Sequence, residues 1–313
     1  MIETTDTFAT PLPEVSVLIV GFNSRSYIER CISGALMAGT GPAFEFLFID
    51  CSNDGSEALV REQFPTIRVL PYQGNLGFGR ANNLLATHAR ACRLLLLNPD
   101  TFARHDELAA LLKLSVHTPL ASGWGGLTVL PSGRIDGGCL QPMLGLLPLG
   151  LALFGLASIR LGAVNPRLPQ PQEVPVLSGA FMMIRTTMWQ QIGGFDERFF
   201  LYAEEVDLCK RIADSNGSLV LDPRIQLLHD AGSGSRISAS RMLNQARGNA
   251  TFYDKHYGPT RSALCKVFLW LHGVSRELYG RVRGKADYVD AYGAIVRQRA
   301  SWWDGWPKRT EAC

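Results

Sequence analysis

Apolar residues in the first third of the chain fall in short blocks, and their spacing changes from block to block. Val15–Val20 is a compact aliphatic run ending at Gly21, the pattern of a buried strand. Ile28, Cys31, Ile32, Ala35 and Leu36 then recur at helical spacing. Phe44–Ile49 predicts a second strand that stops at Asp50, and Gly55-Ser56 leads into a helix through Ala58, Leu59 and Phe64. Ile67–Leu70 predicts a third strand, Ala81–Ala91 a helix, Leu94–Leu97 a fourth strand, and Glu107–Leu114 a further helix. Strands alternating with helices of this length predict an α/β fold, with a mostly parallel sheet covered on both faces. The second half changes character. Val174–Ile184 reads as one strand carrying Ser178-Gly179-Ala180, followed by a helix to Ile192 and a Gly193-Gly194 stop. An aromatic-rich loop, Phe195–Tyr202, precedes Glu204-Glu205-Val206-Asp207, and Leu219–Leu221 and Gln226–Leu228 predict two short strands before His229.

In a parallel α/β sheet the ligand lies beyond the carboxyl ends of the strands. Here those ends carry Gly21-Phe22-Asn23, Asp50 through Ser56, and Asn98-Pro99-Asp100. Three polar clusters therefore converge on one crevice. Each admits two readings. Asp50 and Asp54 suit a nucleoside hydroxyl or base N–H, or else end a strand and cap a helix. Asp100, left at the crevice mouth by a proline that cannot continue the strand, suits Mg²⁺ or Mn²⁺ shared with phosphate oxygens, or else starts the next helix. Glu204, Glu205 and Asp207 put three carboxylates within four residues. Behind Phe199–Tyr202 one of them has the apolar shielding that raises a carboxylate towards a general base's range. The remaining acids serve the helix dipole or pair with Lys210 or Arg211. His229 is a metal or phosphate contact, or a structural histidine, and the Gly232–Ser235 loop after it is a phosphate cradle or a connector.

Composition narrows the class. Of 313 residues, 46% are hydrophobic and 19% charged, which excludes a disordered chain. A net charge of +3 offers no electrostatic footprint for nucleic acid. Seven cysteines with no C-x-x-C pair read as reduced thiols, neither a disulfide framework nor a zinc site. Residues 1–13 lack the basic and then apolar pattern of a secretory leader and read as a flexible tail.

The motifs V-S-V-L-I-V-G-F-N-S, F-I-D-C-S-N-D-G-S, G-N-L-G-F-G-R-A-N-N, L-L-L-N-P-D-T, G-G-F-D-E-R-F-F-L-Y-A-E-E-V-D-L-C-K-R and H-D-A-G-S-G-S follow one another in this order. Over Val15–Tyr257 that order resembles family 2 glycosyltransferases, most of all the bacterial rhamnosyltransferase-like branch. The resemblance implies a GT-A fold, with helices flanking a central sheet, and transfer that inverts the sugar's configuration. It places Phe22, Asn23, Asp50 and Asp54 around the nucleoside, and Asn75, Gly77, Arg80, Asn83 and Asn98 around the nucleotide sugar. Asp100 matches the final, metal-binding acid of the family's D-x-D element, with Asn98 in place of the first acid. Glu205, beside Glu204, falls where the catalytic base is expected, and His229 matches a histidine that completes the metal shell. The turn between Asp50 and Asp54 is one residue shorter than the family's common form.

The resemblance further implies an inverting, metal-dependent enzyme that moves a sugar, L-rhamnose from dTDP-rhamnose being the best expectation. Its acceptor is a cell-surface saccharide or one linked to polyprenyl diphosphate. The same chemistry with a UDP-hexose or UDP-galactofuranose donor is the neighbouring alternative, and a non-catalytic sugar-nucleotide-binding protein is the alternative of another class. The expected organisation is a catalytic domain over 14–257, comprising a nucleotide-binding half (14–113), a variable apolar insertion (114–177) and an acceptor-side half (178–257), then a basic helical extension over 258–313. Two segments qualify the picture of a freely soluble protein. Gly137–Ile159 carries no charge but is interrupted by Pro142 and Pro148, so it reads as re-entrant, interfacial or core-covering rather than spanning. Beyond residue 260 the chain carries ten Lys/Arg against five Asp/Glu. Within that stretch Leu264, Val267, Phe268, Leu271, Val274, Leu278 and Val282 fall at helical spacing. Such a helix lies on an anionic membrane, at the cytoplasmic face for this acceptor, or packs on the domain or on a second copy in a homodimer.

Overall fold

The computed structural model describes residues 12–36, 44–154, 156, 164–230 and 237–307. Its centre is a sheet in the order β3-β2-β1-β4-β8-β6-β9-β5. The strands are β1 (Val15–Gly21), β2 (Phe44–Asp50), β3 (Arg68–Leu70), β4 (Arg93–Leu97), β5 (Thr101–Phe102), β6 (Gly123–Val129), β8 (Phe181–Arg185) and β9 (Leu219–His229), while β7 (Gln172–Glu173) also pairs with β9. β1 to β4 are parallel to one another and β6 is parallel to β9, whereas β8, β5 and β7 run against their neighbours. The sheet is thus mostly parallel, as expected.

Alternation within the first strands builds two cores. Val15, Val17 and Ile19 of β1, Phe46 and Phe48 of β2, and Leu95 and Leu97 of β4 face one side, against α1 (Ile28–Leu36), α2 (Ser56–Gln63) and α4 (His105–His117). Leu18, Leu47, Ile49, Leu94 and Leu96 face the other, against α3 (Phe78–Ala86) and α7 (Glu204–Asp214). Strands buried on both faces leave polar groups only at their ends. The order reverses between β1 and β4, so the crevice opens beyond Gly21 and Leu97.

Several boundaries differ from the sequence pattern. α3 begins at Phe78, three residues before the expected start, and unwinds after Ala86, where Thr87 turns its hydroxyl back to the Leu84 carbonyl at 2.7 Å. The single strand expected over Val174–Ile184 is Phe181–Arg185 alone; Ser178–Ala180 forms a turn whose Ala180 carbonyl accepts the Asn98 N–H at 3.1 Å. The two short strands expected before His229 are one strand, β9, whose register against β6 shifts between Gly126 and Leu127, opposite Pro223. A bulge absorbs the proline without ending the strand. β6 lies inside the span expected as an insertion, yet it is an inner strand of the sheet. α6 (Thr186–Ile192) ends at Gly193 with φ +75°, as the Gly-Gly stop predicts.

After the sheet, α8 (Ala239–His256), α9 (Pro259–Arg283) and α10 (Ala286–Arg297) pack together, and α9 also packs on α5 (Leu146–Leu153) from the apolar segment. The buried face of α9 carries Cys265, Leu269, Gly273 and Gly280. It is not the expected apolar stripe: Leu264, Val267, Leu278 and Val282 remain exposed. Among the described residues no helix is long and apolar enough to cross a membrane, and six cysteines are free thiols. Residues 1–11 of the expected tail and the 231–236 loop lie outside the described residues.

Candidate active site

Two adjoining clefts open at the reversal point and share Phe78, Asn98 and Leu201 in their walls. The first, about 430 Å³, is lined by Phe22, Asn23, Asn75, Gly77 and Asp100 among others. The second, about 730 Å³, holds Glu204, Glu205, His229, Asp136 and Gln141. A larger surface hollow of about 870 Å³ lies apart from both, beside α4 and β9, where Arg104 and Arg224 pair with Glu107 and Asp222.

The floor of the first cleft is fixed by short polar links. Asn23, in the left-handed region at φ +50°, donates its N–H to Ser52 Oγ at 2.9 Å. Ser52 in turn donates its hydroxyl and its N–H to Asp50 Oδ1, at 2.8 and 2.9 Å. Asp54 accepts the Arg25 N–H and the Ser56 N–H, each at 2.9 Å. Burial alone would raise the Asp54 carboxyl, but these hydrogen bonds win and hold it below the ordinary aspartate value. Neither acid lines the cleft; both tie the β2–α2 turn to the β1–α1 turn that does. Phe22 stands over that floor, 53% exposed, with an aromatic face open to a planar ring.

The expected stretch from Asn75 to Asn83 divides by role. Asn75 lines the cleft and accepts the Gly77 N–H at 3.1 Å. Gly77 has φ +79°, and a Cβ there would sit 2.4 Å from the Phe200 carbonyl oxygen, so glycine is what lets the 195–202 loop close over the crevice. Arg80 and Asn83 point elsewhere: Arg80 pairs with Glu197 at 3.6 Å, and the Asn83 amide brackets the Phe195 backbone at 2.8 and 2.9 Å. They fasten that loop to α3 rather than line the cleft.

At the boundary between the clefts, Asn98 and Asp100 leave β4, and α4 starts later, so Asp100 is not spent as a cap. Its Oδ1 is buried with no hydrogen-bond partner, 3.4 Å from His229 Nε2. β5 sets this approach by pairing Thr101 with His229. The other ring nitrogen, Nδ1, bonds Asp136 Oδ2 at 2.7 Å, and Asp136 Oδ1 accepts the Gly138 N–H at 3.0 Å. The Asp136 carboxylate on Nδ1 fixes the orientation of the ring and aims Nε2 at Asp100. Burial would lower the His229 pKa, but Asp100 and Asp136 outweigh it and raise it to about 9. Among the described residues no three His, Cys, Asp or Glu side chains form a metal cage by themselves.

On the far side, α7 presents the other acids. Tyr202 and Ala203 both adopt φ +67°, a sterically costly pair for non-glycine residues that turns the chain sharply into Glu204. The turn is held from behind by Gly248, where a Cβ would lie 2.2 Å from the Tyr202 carbonyl oxygen. Glu204 is buried and its Oε2 has no partner, while Glu205 accepts a hydrogen bond from Gln141 Nε2 at 3.2 Å. Burial, then repulsion from Glu205, pushes Glu204 well above the ordinary glutamate value, and burial raises Glu205 as well. Asp207, the third acid, faces away from the cleft. It is fully buried and bonds Arg211 Nε at 2.8 Å, Lys255 Nζ at 2.5 Å and His256 Nε2 at 2.7 Å. Burial favours its neutral form, but these partners hold it below the ordinary aspartate value.

Asp136 and Gln141 had no signal in the sequence. They flank a 3-10 turn over Gly137–Leu140, and only the fold brings one to His229 and the other to Glu205.

Comparison with known proteins agrees with this architecture. Residues 16–127 match the family described as Glycosyl transferase family 2. The chain is 29% identical over 273 residues to the N-acetylglucosaminyl-diphospho-decaprenol L-rhamnosyltransferase of Mycobacterium tuberculosis, covering 79% of this chain and 87% of that one. It is 26% identical over 175 residues to the rhamnosyltransferase WbbL of Escherichia coli, covering 52% and 64%. Among solved structures, a mannosyltransferase from Pyrobaculum calidifontis in complex with GDP-Man and Mn²⁺ superposes with a TM-score of 0.56 at 16% identity, over 93% of this chain and 76% of that one.

Proposed function

We propose that this chain, whose residues 16–127 match Glycosyl transferase family 2, is a glycosyltransferase of that family that transfers L-rhamnose from dTDP-L-rhamnose to a hydroxyl of a saccharide carried on a lipid diphosphate. The observation that carries this reading is the pair of clefts meeting at Asn98. Asp100 in the first cleft faces His229 in the second across that boundary, and two carboxylates with raised pKa values line the second cleft's wall. The two relatives described above are both named for rhamnosyl transfer, which favours that donor. The name of the mycobacterial one favours a lipid-linked acceptor.

The crevice residues suit a divalent cation. Asp100 Oδ1 is buried with no hydrogen-bond partner among the described residues, and His229 Nε2, 3.4 Å away, is aimed at it by Asp136, the outer carboxylate that metal-binding histidines commonly have. With no cage of three among the described residues, diphosphate oxygens would complete the shell. Mg²⁺ or Mn²⁺ bound there supplies positive charge against the leaving diphosphate. The remaining work falls to the chain. Phe22 and the turns braced by Asp50 and Asp54 seat the nucleoside, with Asn75, Gly77 and Asn98 around the sugar diphosphate. Glu205, held by Gln141, accepts the proton of the acceptor hydroxyl as its oxygen bonds the anomeric carbon and the bond to the diphosphate breaks. Attack from the second cleft, opposite the leaving group in the first, inverts the configuration.

A peripheral position at the cytoplasmic face of the membrane fits the exposed stripe of α9, where Leu264, Val267, Leu278 and Val282 lie among Arg281, Arg283 and Lys285. The test of the donor is release of nucleoside diphosphate from dTDP-L-rhamnose, UDP-hexoses and UDP-galactofuranose, with a lipid-linked saccharide and with or without EDTA. The expected result is turnover of dTDP-L-rhamnose that EDTA stops and Mg²⁺ or Mn²⁺ restores. Turnover confined to a UDP sugar rejects the donor, and full activity in EDTA rejects the metal.

A further inference from the structure

The segment that brings Gln141 to Glu205 continues beyond the second cleft. Leu140, Gln141, Pro142 and Leu144 line that cleft. α5 begins two residues later, and its Leu146, Gly150, Leu151 and Phe154 form one wall of an apolar groove of about 580 Å³ whose other wall is Leu264 and Phe268 of α9. Every side chain lining it is leucine or phenylalanine, with one glycine, so it offers nothing to a polar ligand. The groove is held open by fixed contacts. The Tyr257 hydroxyl donates to the Leu144 carbonyl at 2.5 Å, Arg276 donates to the Ala152 carbonyl at 3.0 Å, and Gly150 faces the Phe268 ring.

Charge marks the junction of cleft and groove. Arg261 lies on the same face of α9 as Leu264 and Phe268, three and seven residues earlier, the spacing that aligns side chains on a helix. Its guanidinium sits 4.0 Å from the centre of the Tyr257 ring, the residue that anchors Leu144. Arg241 lines the cleft itself. The surface therefore presents a proton acceptor in the cleft, Arg261 beside the Tyr257–Leu144 contact, and a purely aliphatic channel between α5 and α9. A saccharide joined through a diphosphate to a hydrocarbon chain has the complementary order: hydroxyl, anion, oil.

We propose that the α5–α9 groove binds the isoprenoid chain of the lipid-diphosphate acceptor, with Arg261 beside the diphosphate, so that the chain helps to place the acceptor hydroxyl at Glu205. This rests on the acceptor reading above. The mouth of the groove is open, with Leu147 62% and Phe154 77% exposed, as entry of a chain from a bilayer requires.

The experiment compares one saccharide diphosphate, N-acetylglucosaminyl diphosphate, carried on a short terpenyl or a long polyprenyl chain, in detergent micelles. It uses the full chain and the double variant Leu147→Gln, Leu264→Gln, whose exposed positions leave the core untouched; thermal melting confirms the fold. The wild type is expected to favour the long chain through KM. The variant is expected to lose about tenfold of that preference, the scale of removing one or two buried leucine contacts. An unchanged preference in the variant, or equal losses on both chains, overturns the groove assignment. So does a wild type that uses both chains alike, although the lipid-linked reading then stands. Use of free saccharides alone overturns the acceptor reading and the groove with it. If the variant instead loses vesicle binding or dimerisation at unchanged chain preference, the groove belongs to the bilayer or to a second copy and the proposal fails.

Discussion

Replacing Glu205 by Gln gives a folded protein that binds its nucleotide sugar as before and transfers sugar about 10²- to 10⁴-fold more slowly, the scale of removing a positioned general base. The substitution keeps the shape of the side chain and an oxygen for the Gln141 amide, and removes only the ability to accept a proton. Donor binding is spared because Glu205 lines the second cleft and not the first. The native enzyme also carries a pH signature. Burial raises the Glu205 carboxyl above the ordinary glutamate value of 4.5, so the acid limb of kcat/KM lies above that value, and the rate falls as pH drops through it. Donor titration and a pH–rate profile check both parts. Near-native turnover by the variant would remove Glu205 from the mechanism.

Replacing Asp207 by Ala costs about 3–5 kcal/mol of stability, because it takes the buried partner from several cations at once. Arg211 and His256 lose their carboxylate, and Lys255 keeps only the one on Asp196, at 2.6 Å. Asp196 also accepts Arg198 at 2.6 Å, so the network joins the 195–202 loop, α7 and α8. Its loss loosens the turn that presents Glu204 and Glu205. The native contribution of Asp207 follows from its depressed pKa: it is complete above the ordinary aspartate value of 3.8 and is lost as pH falls through the lower folded value. The control is Asp214→Ala on the same helix, whose exposed pair with Lys210 at 2.7 Å is worth less than about 1 kcal/mol. Urea unfolding of the two variants at neutral pH separates them; equal small effects would contradict the account.

The sequence pattern made the first cleft legible because that cleft is built locally. β1, β2 and β4 are buried on both faces, so their polar residues cluster where the strands end, and Phe22, Asn23, Asn98 and Asp100 line the first cleft there. Roles within a cluster were less legible. Asp50, Asp54, Arg80 and Asn83 stand near the crevice, but their side chains are taken up by turns and by the 195–202 loop, and hydrogen-bond partners are decided by tertiary contact. Asp136 and Gln141 were invisible for the same reason. Pro223 misled by looking like a strand break when a bulge accommodates it. On α9 the apolar stripe is present as a pattern, yet the helix packs through Cys265, Leu269 and two glycines instead. Small residues permit close helix contact without a strong hydrophobic signal, and they leave the larger apolar side chains facing out.

The organisation expected for the chain bears on experiments. Residues 258–307 contribute buried side chains such as Cys265, Leu269 and Ala291 to the same core as α7 and α8. Point substitutions on its exposed stripe therefore probe membrane contact more cleanly than truncation, which would expose that core.

The central claim is a single displacement across the boundary between the two clefts, with the leaving group at Asp100, which His229 faces from across that boundary, and the acceptor at Glu205. The anomeric configuration of the product tests it most directly. Nuclear magnetic resonance of the glycolipid formed from dTDP-β-L-rhamnose is predicted to show an α-linked rhamnose, inverted relative to the donor. A β-linked product would require a second displacement, for which this arrangement has no place, and would contradict the account.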